Sequence, residues 1–227
     1  MPTGYGPGCP CCRPSAPTLP TTRGKDSGHA SWRSVEHARW PKVGPAPVLE
    51  EAEYEHLAST LVRTGTILDR RMIYGYARPS EHVPTLEIRV ADTNADLDVV
   101  ILLVALVRGL ATTFCAEIAD SRPAPLLPLA SLQEAHRLAA LHGLSGDGLD
   151  PLCGIYLPPW RLVERLRERV APALDASTDL PLVDTVLDDL SRTGDGAARQ
   201  RHVYSRCGRL ADIVDALATS TTAQAAA

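Results

Sequence analysis

The sequence predicts an α+β protein: a small antiparallel sheet patch backed by helices, with a C-terminal half that is mostly α-helical. Three observations carry this expectation. Thr85 to Val90 alternates, with Leu86, Ile88 and Val90 on one side and Thr85, Glu87 and Arg89 on the other. Period two is the signature of a half-buried strand. Downstream, the stretch from Asp96 to about Asp120 is apolar on nearly every face, as expected of a helix buried against a sheet. Beyond Ala130, segments at helical spacing follow one another between Gly/Pro breaks.

Taken in order, residues 1–24 are rich in Pro, Gly and Thr without periodicity, and are expected to be disordered. Ser27 to Trp40 reads as a loop with a short helical turn, and Pro41 to Pro47 as a linker. Leu49 to Thr64 places Tyr54, Leu57, Leu61 and Val62 at helical spacing, and Gly65 stops that helix. Met72 to Ala77 is a short strand, and Pro79 and Pro84 bracket a turn into the strand of Glu87. The two strands pair antiparallel, which puts Arg78 near the end of one and Glu87 and Arg89 inside the other. Asp92 to Asp96 offers caps for the long apolar helix. Arg122 to Pro128 is a Pro-rich break, Ala130 to His142 an amphipathic helix ending at Gly143, and Leu144 to Pro158 a loop. Trp160–Leu174, Leu182–Ser191 and Leu210–Ala218 are three further helices, Gly196 to Arg206 starts another, and the tail at 220–227 frays.

Composition bounds the function. The 227 residues suffice for one good-sized core or two small ones, and 44% hydrophobic with 22% charged residues is ordinary for a globular protein. A net charge of −4 with no basic, aromatic-interleaved stripe argues against nucleic-acid or membrane-surface partners. The longest apolar run, Val99 to Val107, is too short to span a bilayer, no signal peptide leads the chain, and a cytoplasmic location is expected. Cys9, Cys11 and Cys12 have no second ligand pair at zinc-site spacing, and Cys115, Cys153 and Cys207 read as ordinary reduced thiols. His29, His37 and His82 have no partner at metal spacing and read as surface histidines.

The residues with most chemical content lie on the central strand. Glu87 and Arg89, two apart on one polar face, can hold a cation and an anion side by side; a metal–phosphate pair is a common object of that kind. The alternative is a solvated sheet face carrying an ion pair. Arg78 precedes Pro79, which biases it to an extended backbone and aims its planar fork in a fixed direction, toward a substrate carboxylate or phosphate or toward a structural acid such as Asp92.

The wording of these stretches is specific. ARPSEHVPTLEIRVAD (Ala77 to Asp92), followed by DLDVVILLVALVRGLA, resembles the carboxylate–amine ligase family, also called glutamate–cysteine ligase type 2. The resemblance continues in SGHASWRS (Ser27 to Ser34), RTGTILD (Arg63 to Asp69) and GAARQRHVYSR (Gly196 to Arg206), and covers roughly residues 25–217. It implies part of a glutamine-synthetase-like antiparallel sheet, with residues 25–219 forming the C-terminal part of the catalytic domain. It implies an ATP-dependent ligase in which a side-chain γ-carboxylate is activated as an acyl phosphate and then attacked by an amine. The implied substrates are a glutamate-like acid and cysteine or another amine. By the same resemblance Glu87 is the Mg²⁺ ligand, Arg89 a catalytic, nucleotide-binding phosphate contact, and Arg78 a catalytic and substrate-binding residue. Arg33 becomes the substrate-loop arginine, and Arg199 and Arg201 become nucleotide or subunit contacts; solvated helix charges are the alternative for that last pair.

The chain also departs from the family pattern. Tyr74, Gly75 and Tyr76 stand where a YWD-like triplet is usual, and Leu138 and Leu141 where arginines are typical, so charge is lost near the implied site. The family's N-terminal half, with its first acidic strand and other metal ligands, has no counterpart here. A truncated chain is therefore expected, inactive and marginally folded alone, and prone to homo-oligomerise or to need a complementing N-terminal half. A non-catalytic remnant or interaction module is the alternative. Residues Cys12 to Arg23, read one base out of register from GC-rich codons, can give PALSANSPYYEG, close to the family's LSANSP-type segment. The N-terminus is thus expected to be a frameshifted remnant, and sequencing the locus for a coding trace of the missing half checks it.

Overall fold

The computed structural model describes residues 21–22, 25–37, 44–45 and 48–225. The cysteine cluster Cys9, Cys11 and Cys12 lies outside the described residues, as do all but two residues of the expected N-terminal disordered segment.

The described chain is α+β, as its pattern predicts. β1 (Thr21–Thr22) and β2 (Lys25–Asp26) form a minimal hairpin before the short helix α1 (Arg33–His37). Helix α2 (Glu51–Arg63) opens with the Glu53 side chain accepting from the Glu50 N–H at 2.8 Å, and ends at Thr64. Its Tyr54, Ala58 and Leu61 form a small core with Ile67 and Ile73. The segment expected to be a strand from Met72 instead begins as a 3₁₀ turn, Arg70–Met72. Asp69 is the reason: its carboxylate accepts from the Arg71 N–H at 2.7 Å, which caps a helical turn rather than extending a strand.

β3 (Ala77–Pro79) and β4 (Leu86–Ile88) pair antiparallel in the register Ala77↔Ile88, Arg78↔Glu87 and Pro79↔Leu86. The alternation holds, but its coverage is inverted at the strand. Leu86 and Ile88 are exposed and Glu87 is half-buried, while Val90, one step on, is buried at 5%. Spacing fixes which residues share a face; it does not fix which face another layer covers.

Helix α3 (Leu97–Ala119) starts with the Asp96 carboxylate accepting from the Asp98 N–H. It packs on α5 (Pro159–Ala176) and α6 (Leu180–Thr193), not on a sheet, which corrects the burial expected of it. Val99, Leu102, Ala105 and Leu106 meet Leu166, Val170, Leu174 and Val183 in the main core, joined by Val90. Gly109 makes the approach close: a Cβ there would sit 3.2 Å from Val170 Cβ and 3.3 Å from Leu174 Cδ2. Ion pairs tie the rim, with Arg169 reaching Glu117 at 3.0 Å and Arg167 gripping Asp184 bidentately at 2.8 and 2.6 Å. By length and composition α3 is also the one described helix able to cross a membrane.

Helix α4 (Leu129–His142) ends at Gly143, as its amphipathic pattern predicts. The following segment is more ordered than a loop: β5 (Gly148–Asp150) and β6 (Ile155–Leu157) form a hairpin packed on α4. Asp150 organises its turn by accepting from the Leu152 N–H at 2.9 Å. Helices α7 (Gly196–Cys207) and α8 (Leu210–Ala225) complete the chain, α8 continuing past Thr219. The scattered Cys115, Cys153 and Cys207 are free and exposed.

Asp195 joins the ends of two helices. Buried at 2%, it caps α7 by accepting from the Ala198 N–H at 2.8 Å, and its second oxygen accepts from the Leu144 N–H at 2.9 Å. Gly143, at φ +58°, lies against this carboxylate, and a Cβ there would stand 2.9 Å from Ala30 Cβ. Asp195→Ala leaves two N–H donors unanswered, one of them buried, and should lower stability by about 2 kcal/mol or more. Asp195→Asn keeps one acceptor oxygen and should cost less. Thermal melts of the two variants check the order.

Candidate functional site

The β3–β4 register sets Arg78 directly across from Glu87. Arg78 Nε donates to Glu87 Oε2 at 2.9 Å, and Arg89 Nη1 reaches the same oxygen at 3.5 Å. One carboxylate thus lies between two guanidiniums. Hydrogen bonding from Arg78, reinforced by the positive charges of Arg78 and Arg89, holds the Glu87 carboxyl below its ordinary 4.5.

The two arginines are not equivalent. Arg78 is 5% exposed, and its Nη1 donates to the carbonyls of Arg71 at 2.8 Å and of Arg70 and Ile73 at 3.3 Å each. Its fork clamps the 3₁₀ turn to β4, so the partner acid is Glu87. Arg89 is a third exposed at the side chain, stacks its guanidinium carbon 5.6 Å from the Tyr74 ring centre, and keeps only the long contact to Glu87. Arg33, on α1, donates to the backbone carbonyls of Ala91 and, at 3.1 Å, of Arg89. It therefore fixes the backbone that leaves β4.

The structure brings Arg33, Arg78, Glu87 and Arg89 into one connected group. It places the other two candidates on α7 with different partners. Arg201 pairs with Asp26 at 2.8 Å and donates to the His29 carbonyl at 3.0 Å, while Arg199 lies 3.6 Å from the Asp96 carboxylate that caps α3. Arg201 lowers the Asp26 carboxyl from its ordinary range by its hydrogen bond. Among the described residues no three His, Cys, Asp or Glu side chains converge as a metal set. Glu87 can lend one oxygen to a divalent cation, but a set of one carboxylate already facing two guanidiniums does not by itself form a Mg²⁺ site.

Three arrangements went unforeseen in the sequence. Tyr76, at the position of a departure from the resembled pattern, hydrogen-bonds through its hydroxyl to Nε2 of the buried His136 on α4, with ring centres 4.1 Å apart. Nothing in spacing links residues 60 apart. Leu138, at another departure, is buried with Ala135 and Leu149. The Asp195 bridge had a usable signal, since Asp-Gly opening a helical segment is an N-cap signature.

The family model described as glutamate–cysteine ligase family 2 matches residues 19–216. A Saccharopolyspora erythraea protein named provisionally as glutamate–cysteine ligase 2-1 is 42% identical over 205 residues, covering 89% of this chain and 54% of that protein. A Salinispora tropica protein named provisionally as glutamate–cysteine ligase 2 is 41% identical over 190 residues, covering 83% and 50%. A Mycolicibacterium vanbaalenii protein with the provisional name glutamate–cysteine ligase 2-2 is 42% identical over 202 residues, covering 88% and 55%. The chain spans about half the length of the curated relatives it matches.

The geometry orders two substitutions. Arg78→Lys keeps charge but cannot serve a carboxylate and three carbonyls together, and should lower stability by about 2 kcal/mol. Arg89→Lys, at a partly exposed site, should move it by less than about 0.5 kcal/mol. Chemical denaturation of the two variants checks this. Because the Glu87 pKa is depressed on folding, its contribution is fully present above about pH 4.5 and is lost as pH falls through the lower folded value. The melting-temperature gap between the unmodified chain and Glu87→Gln should therefore narrow below pH 4.5. A gap that stays constant from pH 7 to pH 3 would contradict the ion pair.

Proposed function

The chain belongs to glutamate–cysteine ligase family 2, and from that premise we propose that it supplies the C-terminal part of an ATP-dependent carboxylate–amine ligase. The overall reaction is ordinary acyl activation. A substrate carboxylate oxygen attacks the terminal phosphorus of ATP and ADP leaves; the amine nitrogen then attacks the acyl carbon, phosphate leaves, and the amine loses a proton. The observation that carries the reading is the pairing of Arg78 with Glu87, inside the family-matched segment, with Arg89 beside them.

In this proposal the roles differ by exposure. Arg78 is a positioning residue: its buried fork holds Glu87 in place rather than facing a ligand. Arg89, tied only by a long contact and a ring stack, is free to swing its guanidinium toward an anion, which suits charge on a transferring phosphoryl group. Arg33 orients Arg89 through the backbone. Glu87 is one donor toward Mg²⁺, and the rest of the set comes from residues outside this chain, in a glutamine-synthetase-like sheet that the chain completes in part. Arg199 and Arg201, held by Asp96 and Asp26, act through the seam between α7 and the N-terminal loop.

A two-part assay tests this. The chain is co-expressed with the portion of the Saccharopolyspora erythraea relative that lies outside the matched 54%. ATP-dependent amide formation from glutamate and cysteine is expected from the pair, from neither part alone, and not from the pair carrying Glu87→Gln. Full activity with Glu87→Gln would remove Glu87 from the site, and turnover by the chain alone would show the site to be local.

A further inference from the structure

The outward side of α3 carries an apolar seam interrupted once, by Arg108. Leu97, Ile101, Val104, Ala111, Cys115 and Ile118 are all exposed, with Val104 at 61% and Ile118 at 53%. Together with Arg108 they recur at alternating steps of four and three residues, a mean of 3.5. That spacing keeps a seam on one side of a helix, here for about 30 Å. The opposite side of α3 is already filled by α5 and α6. An apolar face of this extent on a free chain marks an interaction surface.

We infer that this seam is the docking line for the part of the ligase that lies outside this chain, which covers it lengthwise with an apolar layer. The inference rests on the ligase reading above for the identity of that partner. Three observations select it. The chain spans 54% of its Saccharopolyspora erythraea relative, so a comparable length of polypeptide is available to cover the face. Among the described residues the β3–β4 sheet has two strands, and its Leu86 and Ile88 are exposed as well, so this described sheet also lacks a covering layer. The seam's one charged member, Arg108, stands near its midpoint and is paired with Asp179, so lengthwise pairing with a second copy, parallel or antiparallel, seals two such ion pairs against each other away from water. A bilayer is disfavoured because α5 and α6 flank the helix with the Arg169–Glu117 and Arg167–Asp184 ion pairs, which cannot follow it into hydrocarbon.

The test contrasts one substitution in two settings. In this chain Val104→Lys is expected to keep the melting temperature within about 2 °C, to lower binding of an apolar fluorescent dye at least twofold, and to reduce aggregation. In the full-length Saccharopolyspora erythraea relative, lysine at the position that aligns with Val104 is expected to lower the melting temperature by about 5 °C or more, since the charge is then buried. Val104→Asn should give the same contrast at smaller size, which guards against a lysine effect on folding alone. A drop in both settings, or in neither, overturns the inference. So does a discrete dimer of the unmodified chain that Val104→Lys dissociates, or binding to phosphatidylcholine vesicles that Val104→Lys abolishes. These readouts need no turnover. A failed two-part activity assay with this contrast intact would reject the ligase chemistry and leave the seam; the reverse result would reject the seam alone.

Discussion

The described fold hangs on the buried guanidinium of Arg78. A planar group with five donors can answer several acceptors at once from one position. Here it answers the three carbonyls of the turn at Arg70–Ile73 and the carboxylate of Glu87 on the neighbouring strand. This joins the small core around Ile73 to the strand pair. The strand pair then reaches the other parts in turn: Tyr76 to His136 on α4, Val90 into the main core, and the Arg89 and Ala91 carbonyls to Arg33 on α1. A three-residue strand pair has little stability of its own, so these side-chain ties do what a wider sheet would do with its ladder.

The same economy explains the charges. Most of the arginines that the sequence singles out are spent on backbone carbonyls and carboxylates inside the chain, and their charge stays local. Arg89 differs, because its contacts are one long ion pair and an aromatic face. A guanidinium held that loosely can change partners without unfolding what surrounds it, while Arg78 cannot. Rigid support next to an adaptable arm is what a site for a transient anion requires.

Much of this architecture was legible in the sequence. Asp96 before α3 and Gly143 after α4 read as cap and stop, and signals of the same kind stand unread at Pro158–Pro159 before α5 and at Asp195 before α7. The antiparallel pairing followed from one alternating segment, a short strand before it and a proline-bracketed turn, but the register that confronts Arg78 with Glu87, where the sequence suggested an acid such as Asp92, did not. Other features were not legible. The side on which Leu86 and Ile88 lie depends on what covers the strand, and α3 is apolar on so many faces that periodicity could not say where its neighbours sit. The β5–β6 hairpin has strands of three residues, too short for a period to show, and the Tyr76–His136 contact joins segments that only tertiary packing brings together. Arg78's depth was hidden as well, since a proline after an arginine sets its backbone but not its burial.

Arg108 gives the apolar seam of α3 a polarity along its length. It breaks a run of hydrophobic side chains near the middle, and Asp179, at the start of α6, answers it. A surface laid along the helix must leave that ion pair a path to water or offer it a polar group. Burying the pair otherwise costs on the order of several kcal/mol. Sliding the covering layer by one turn, about 5.4 Å, would seat hydrophobic atoms on the charge. For a partner laid on this seam, a single arginine would therefore act as a key, admitting one alignment and refusing the shifted ones, in the way that one polar residue sets the register of a coiled coil.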